Sequence, residues 1–389
     1  MTHAIKGQPK QVWIVAFAAV IGFMAIGLVD PIMQSIAESL DAEPSQVTML
    51  FTSYLGVQVV AMLVTGWCSA RFGAKRTVLF GLGLIVAATL LCALATGIGQ
   101  LIWLRGLWGL GNALFIATAL SVIVGAASGG QQVAILLYEA ALGVGLSVGP
   151  LLGAALGKIS WRGPFAGTAI LMAVALVLVA RWIAADHHHE REPVRLRDPL
   201  KALGHGGLLR TGIGSALYTA AFFAVLAWIP FVLGFGPITI GLIFFGWGVC
   251  VAVAGVAFAP RLAARLGEQR ALIAAVLSYA VLMALISTGN HAVVIASVIA
   301  SGLVSGLLNT LFTGRAMSIS DAPRGVASAG YNFCRWFGGA VAATLVSYVA
   351  MWTHWLEAPF LAAAVLCVGA AALLSIRDRT APEVVPATA

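Results

Sequence analysis

Four charged side chains stand where charge is costly. Glu139 lies in AILLYEAALGVGLSVGP with no other charge nearby, Arg335 in ASAGYNFCRWFGGA, Arg105 in LIWLRGLWGLGNA and Asp30 in GLVDPIM. At the centre of an apolar helix an Asp, Lys or Arg costs roughly 2.5–3.5 kcal/mol on insertion scales, so such residues persist where they are paired, wet or functional. A carboxylate so placed can take a proton on one side of a barrier and release it on the other. An arginine can hold that carboxylate or an anionic or carbonyl-rich ligand. The bland readings are a permanent Glu–Arg helix clamp, an Asp30 that touches interfacial water, and an Arg105 that snorkels outward.

The elements that position these residues follow from composition. Of 389 residues, 61% are apolar and 9% charged, against about 25% charged in an ordinary soluble protein. Mean hydropathy is +0.99. A soluble enzyme, a nucleic-acid binder and a disordered scaffold are excluded. Twelve apolar stretches are long enough to cross a bilayer: 12–33, 47–68, 77–96, 101–126, 131–156, 163–184, 211–233, 237–259, 271–289, 292–317, 326–352 and 355–376. The expected fold is all-α integral membrane, with twelve transmembrane helices in two six-helix pseudo-symmetric bundles.

Eighteen of the 22 basic residues fall in segments on one side if both termini are cytoplasmic. Lys158 and Arg162 fall on the other side, and Arg105 and Arg335 inside spans. The net charge of +8 is therefore a positive-inside signal, not a nucleic-acid footprint. The longest polar stretch divides the chain into a bundle over 1–184, a cytoplasmic linker over 185–210, and a bundle with a cytoplasmic tail over 211–389. His187, His188 and His189 in the linker lack ligand spacing and read as a solvated loop, so no metal site is expected. The five cysteines are scattered and read as small core residues. No cleavable signal peptide is expected, because the first apolar segment is too long.

The halves repeat. ARFGAKR (70–76) follows the second span and ARLGEQR (264–270) follows the eighth. VAILLYE (133–139) opens the fifth span and VASAGYN (326–332) the eleventh. With Tyr138 on Tyr331, Glu139 matches Asn332 and Arg335 stands one turn beyond. A parallel duplication of six helices is an architecture that rocks about a midplane site. Asn112, two turns past Arg105, and Asn309 are polar groups that can meet a ligand. Tyr54, Trp108, Tyr138, Phe222, Phe223, Trp228, Tyr331 and Trp336 lie inside spans, as ligand aromatics or as packing. Trp13, Trp103, Trp161, Trp182, Trp352 and Trp355 lie near span ends, as in an interfacial belt.

Twelve spans, a central linker and the basic loop after the second span resemble the major facilitator superfamily over nearly the whole chain. RGLWGLGNA (105–113) is similar to an element of its proton-coupled members. GVGLSVGPLLG (143–153) is similar to the Gly-Pro-rich element of its drug–proton antiporters. ASAGYNFCRWFGGA (327–340) resembles a bacterial exporter branch that includes siderophore exporters. The resemblance implies proton transfer at Arg105 and a meeting of the fifth and eleventh spans, which would let Glu139 and Arg335 face each other. It also implies gating by Gly149, Pro150 and Gly153, and by Gly66, Arg71, Gly73 and Arg76 of GWCSARFGAKR (66–76). Ala70 replaces the family's Asp there, which weakens the usual gate lock, and the basic residues could serve topology alone.

The expectation is thus a proton-coupled exporter of small amphipathic compounds in the bacterial inner membrane. It would be monomeric, without a cofactor, driven by an ion gradient, and with the bilayer and protons as its other partners. Glu139, Asp30, Arg105 and Arg335 would carry the coupling. Asn112, Tyr138, Tyr331, Asn332, Trp336, Trp108 and Asn309 would meet the substrate. The rival is an organic-anion importer or exchanger on the same fold. A membrane enzyme or a sensor fits less well, since no nucleophile–base pair and no added soluble domain are evident.

Overall fold

The computed structural model describes residues 7–128, 130–183, 195–320, 322 and 324–376, a few of these (Asp30 among them) by backbone alone. His187, His188 and His189 lie outside the described residues. Among the described residues, twelve helices are long and apolar enough to cross a membrane: α1 (Lys10–Gly27), α2 (Met49–Phe72), α3 (Ala74–Leu94), α4 (Ile98–Ala126), α5 (Gly130–Gly157), α6 (Gly163–Trp182), α7 (Gly206–Leu233), α8 (Ile238–Leu266), α9 (Glu268–Ile286), α10 (His291–Ser318), α11 (Val326–Thr353) and α12 (Ala358–Ser375). A helix satisfies its own backbone in hydrocarbon, which is why continuous apolar runs take this form.

Two boundaries differ from the sequence expectation in informative ways. α1 ends at Gly27, and a 3-10 turn over Asp30–Ile32 and a short helix over Met33–Leu40 follow. Pro31 lacks the N–H that a continued helix needs there. Asp30 therefore sits just beyond the span, and its side chain lies outside the described residues. α7 begins at Gly206, inside the polar 185–210 stretch, after a short helix over Asp198–Ala202 that packs on the start of α11.

The repeat is visible in the packing. α1 lies on α5 as α7 lies on α11, α2 on α4 as α8 on α10, and α3 on α6 as α9 on α12. The bundles meet along α5 with α8 and α2 with α11. The expected meeting of α5 with α11 is thus replaced by contact of each with a helix of the opposite bundle. α3, α6, α9 and α12 present exposed Phe80, Val177, Val281 and Val365, as lipid-facing helices do. Trp13, Trp103, Trp182, Trp352 and Trp355 are exposed near span ends. Trp161 is not one of them. It is buried against Phe165, with the Arg162 guanidinium 4.2 Å from its ring centre.

Candidate functional site

Glu139 and Arg335 come together between the bundles. Arg335 Nη1 donates to Glu139 Oε1 at 3.3 Å, with both side chains almost fully buried. Thr313 of α10 donates to the same oxygen at 2.8 Å. Its hydroxyl lies 3.4 Å from that of Tyr331, which accepts from Ser215 at 3.3 Å. Glu139 Oε2 is buried without a hydrogen-bond partner among the described residues. One carboxylate on α5 is thus held by two groups of the other bundle and keeps an oxygen spare. Among the described residues α5 and α11 are not packed along each other, and Glu139 and Arg335 meet through their side chains. Removing one partner of a buried pair leaves an uncompensated charge at a cost of roughly 3–5 kcal/mol.

Beside the pair is a chamber between α1, α5, α7, α10 and α11. Its free volume, about 10 Å³, is close to that of one water centre, so the bundles are closed around it. Ile26, Leu142, Leu146, Phe222 and Phe223 form its apolar wall. Thr219, Asn309, Arg335 and Trp336 bring polar groups to it. Asn309 accepts from Tyr218 at 3.1 Å, while Asn309 Nδ2, Trp336 Nε1 and Thr219 Oγ1 are buried without partners among the described residues.

The remaining predicted residues are elsewhere. Arg105, fully buried, donates through Nε to the Leu50 carbonyl at 3.3 Å. Its guanidinium lies 4.4 Å from the Tyr54 ring centre and 4.6 Å from that of Trp108, a cation–π arrangement inside the first bundle. Asn112 donates to the Tyr54 hydroxyl at 2.6 Å and to Gln58 at 3.3 Å. Neither residue borders the chamber. Tyr138 is buried edge-on against Phe23. Asn332 donates to Ser328 on its own helix.

The helix-5 glycines pack in two directions. A Cβ added at Gly145 or Gly149 would strike the backbone of α1, one at Gly153 that of Leu28 just past its end, and one at Gly157 the Ile32 side chain. Pro150 packs on Gly27. Gly143 faces Ala252 of α8 in the other bundle, near a π-helical segment over Ala254–Phe258. Thr310 donates to the Gly255 carbonyl in that segment. In the loop after α2, Gly73 has φ 93 and ψ 150, and Gly267 in the matching loop has φ 79 and ψ 150. That region is essentially reserved for glycine. Gly66 is buried in α2, Arg71 lies 6.0 Å from the Trp67 ring, and Arg76 is exposed.

Sequence reasoning missed Thr313, Thr219 and Tyr218. A further repeat points to their region: GLGNALF (109–115) on α4 matches SGLLNTLF (305–312) on α10 in the register that sets Asn112 on Asn309 and Phe115 on Phe312. Both motifs carry a glycine three residues before the Asn. A Cβ at Gly109 would strike the Tyr54 carbonyl, and one at Gly306 the Val251 carbonyl.

Two six-helix bundles closed around a buried, cross-bundle charge pair define a membrane transporter. Comparison with known proteins places it. The family model described as the Major Facilitator Superfamily matches residues 15–343. A Bacillus subtilis (strain 168) protein named multidrug efflux protein YfmO is 43% identical over 340 residues, 87% of this chain and 86% of the relative. A Klebsiella pneumoniae (strain 342) protein named putative multidrug resistance protein MdtD is 30% identical over 159 residues, 41% of this chain and 33% of the relative. In fold, the chain is similar to the human organic anion transporter MFSD10 (TETRAN), with TM-score 0.80 and 16% identity over 94% of this chain and 100% of that one. The chain belongs to the Major Facilitator Superfamily. It is a multi-pass membrane transporter and not an enzyme. The organic-anion importer is not favoured: MFSD10 shares the fold alone, and the relative matched over most of its length is named for efflux.

Proposed function

We propose that the chain is a proton-coupled antiporter that exports small amphipathic compounds, multidrug substrates among them, by alternating access. It would act as a monomer in the bacterial inner membrane with both termini cytoplasmic. The ion gradient supplies the energy and no cofactor takes part. The observation that carries this reading is Glu139, which Arg335 and Thr313 of the opposite bundle hold by one oxygen while the other stays spare. The name of the relative that is 43% identical supports the direction of transport.

The ionised Glu139 clamps the two bundles through Arg335. A proton arriving at the spare oxygen cancels the carboxylate charge and weakens the clamp. A substrate acceptor engages Arg335 while the ionised Glu139 holds it in place, so protonation, which releases Arg335, discharges the substrate, and proton and substrate compete for the pair. Proton and substrate are linked through one ion pair, and linkage of this kind is reciprocal. Arg105 and Asp30 would carry the second charge locus, on the side of the first bundle opposite its basic loops. Gly66, Arg71, Gly73 and Arg76 would shape the inner gate, and the Gly149–Pro150–Gly153 run would hold α5 against α1 while the bundles rock.

Reconstitution with an imposed pH gradient tests the coupling. Lumenal pH is followed while lipophilic compounds are offered. The expected result is substrate-dependent proton movement by the native chain and none by Glu139→Gln, whose residual transport no longer varies with pH. Substrate-driven proton movement that survives in Glu139→Gln would refute the assignment.

A further inference from the structure

The chamber beside the charge pair is asymmetric in its hydrogen-bonding chemistry. The residues that line it hold spare polar atoms: the Trp336 indole N–H, the Asn309 amide NH₂ and the Thr219 hydroxyl are each buried without a partner among the described residues. The Arg335 guanidinium adds more N–H groups, since only Nη1 is engaged by Glu139. Indole, guanidinium and amide nitrogen can only donate, and the hydroxyl can do either. The acceptor of Asn309 is already used by Tyr218. A buried polar group without a partner costs about 1–3 kcal/mol, so a ligand whose acceptor satisfies these groups gains binding energy.

Charge narrows the choice further. Arg335 is compensated by Glu139 at 3.3 Å, so the wall carries no net charge for an ion to neutralise. Phe222, Phe223 and Leu146 offer flat apolar surface around the donors. We infer that the preferred substrate is an uncharged, aromatic-rich molecule bearing a strong hydrogen-bond acceptor, such as a carbonyl or phosphoryl oxygen, which Trp336, Asn309 and Arg335 bind together. This deepens the exporter reading and rests on its central site. A lipophilic cation would meet only the Thr219 hydroxyl as a spare acceptor on this wall and would leave the N–H donors unpaired.

Two compounds built on one scaffold separate these cases. Triphenylphosphine oxide carries a neutral phosphoryl acceptor, and methyltriphenylphosphonium replaces it with a methyl group and a positive charge. Equilibrium binding of each to the purified full chain in nanodiscs is measured with no gradient present, so the result does not depend on proton coupling or on transport direction. The oxide is expected to bind at least tenfold tighter than the cation. Trp336→Phe, which keeps a ring but loses the donor, is expected to weaken the oxide about tenfold and leave the cation unchanged. Thr219→Val provides a second, smaller loss should Trp336→Phe fold poorly. Equal or tighter binding of the cation, no binding of the oxide, or an oxide affinity untouched by both substitutions overturns the proposal. A proteoliposome that shows no proton movement while this pattern holds would refute the antiporter reading alone.

Discussion

The two bundles use the same asparagine for different ends. Asn112 on α4 and Asn309 on α10 occupy matched positions, each three residues after a glycine pressed on a neighbouring backbone. In the first bundle the amide of Asn112 donates to Tyr54 and Gln58, and Arg105 is clasped by the rings of Tyr54 and Trp108. That polar cluster is turned into its own bundle. In the second, Asn309 accepts from Tyr218 and leaves its NH₂ on the chamber, beside Trp336 and an arginine that reaches across to α5. Duplication supplied one scaffold twice. In the proposed cycle the first copy is an inward-turned charge locus and the second is the face that meets ligand.

The largest expected effect breaks the bond between the bundles. Arg335→Met leaves Glu139 buried without its cation and should lower stability by roughly 3–5 kcal/mol, read as a fall in thermal midpoint in detergent. Pairing it with Glu139→Leu removes both charges and should restore most of the loss, because two apolar groups of similar volume replace a desolvated pair. A double variant no better than the single one would show that Thr313 and Tyr331, and not the charge, dominate the contact.

A smaller effect tests how alike the copies remain. Gly73 and Gly267 share a backbone conformation that a Cβ disfavours. Alanine at either should cost about 1–3 kcal/mol, and the two costs should add, since the loops belong to different bundles. Thermal melts of both single variants and the pair check this. A cost at one loop only would mean that the other rearranges, and that the likeness is one of sequence without mechanical equivalence.

The fold was legible because a membrane span announces itself by composition, and all twelve stretches became helices. The meeting of Glu139 with Arg335 was legible for a different reason: the family resemblance implies that the fifth and eleventh spans meet, and aligning Tyr138 with Tyr331 places Arg335 one turn past the residue that matches Glu139. Thr313 was invisible, because one hydroxyl in an apolar helix that can bond its own backbone carries no signal of what it faces. The glycines of α5 do not form one seam. Their spacing of four puts Gly145, Gly149, Gly153 and Gly157 on a single face, and the structure shows that face on α1 and the 3-10 turn after it. Only Gly143, off that register, meets the other bundle. Which neighbour a face chooses is a tertiary fact, and period alone does not supply it.

The smallest effect is the sharpest probe of the comparison. Asn309→Leu removes one donor from the chamber and should weaken binding of an acceptor-bearing ligand about fivefold, as expected for one neutral hydrogen bond. Asn112→Leu deletes the donor of the matched cluster, which does not border the chamber. It should lower the thermal midpoint by breaking the bonds to Tyr54 and Gln58 while leaving ligand affinity within twofold. Binding isotherms and melts on both variants separate the roles. A loss of affinity at Asn112 equal to that at Asn309 would place ligand in both bundles at once. The chamber would then be the closed remnant of a wider cavity shared by the two copies.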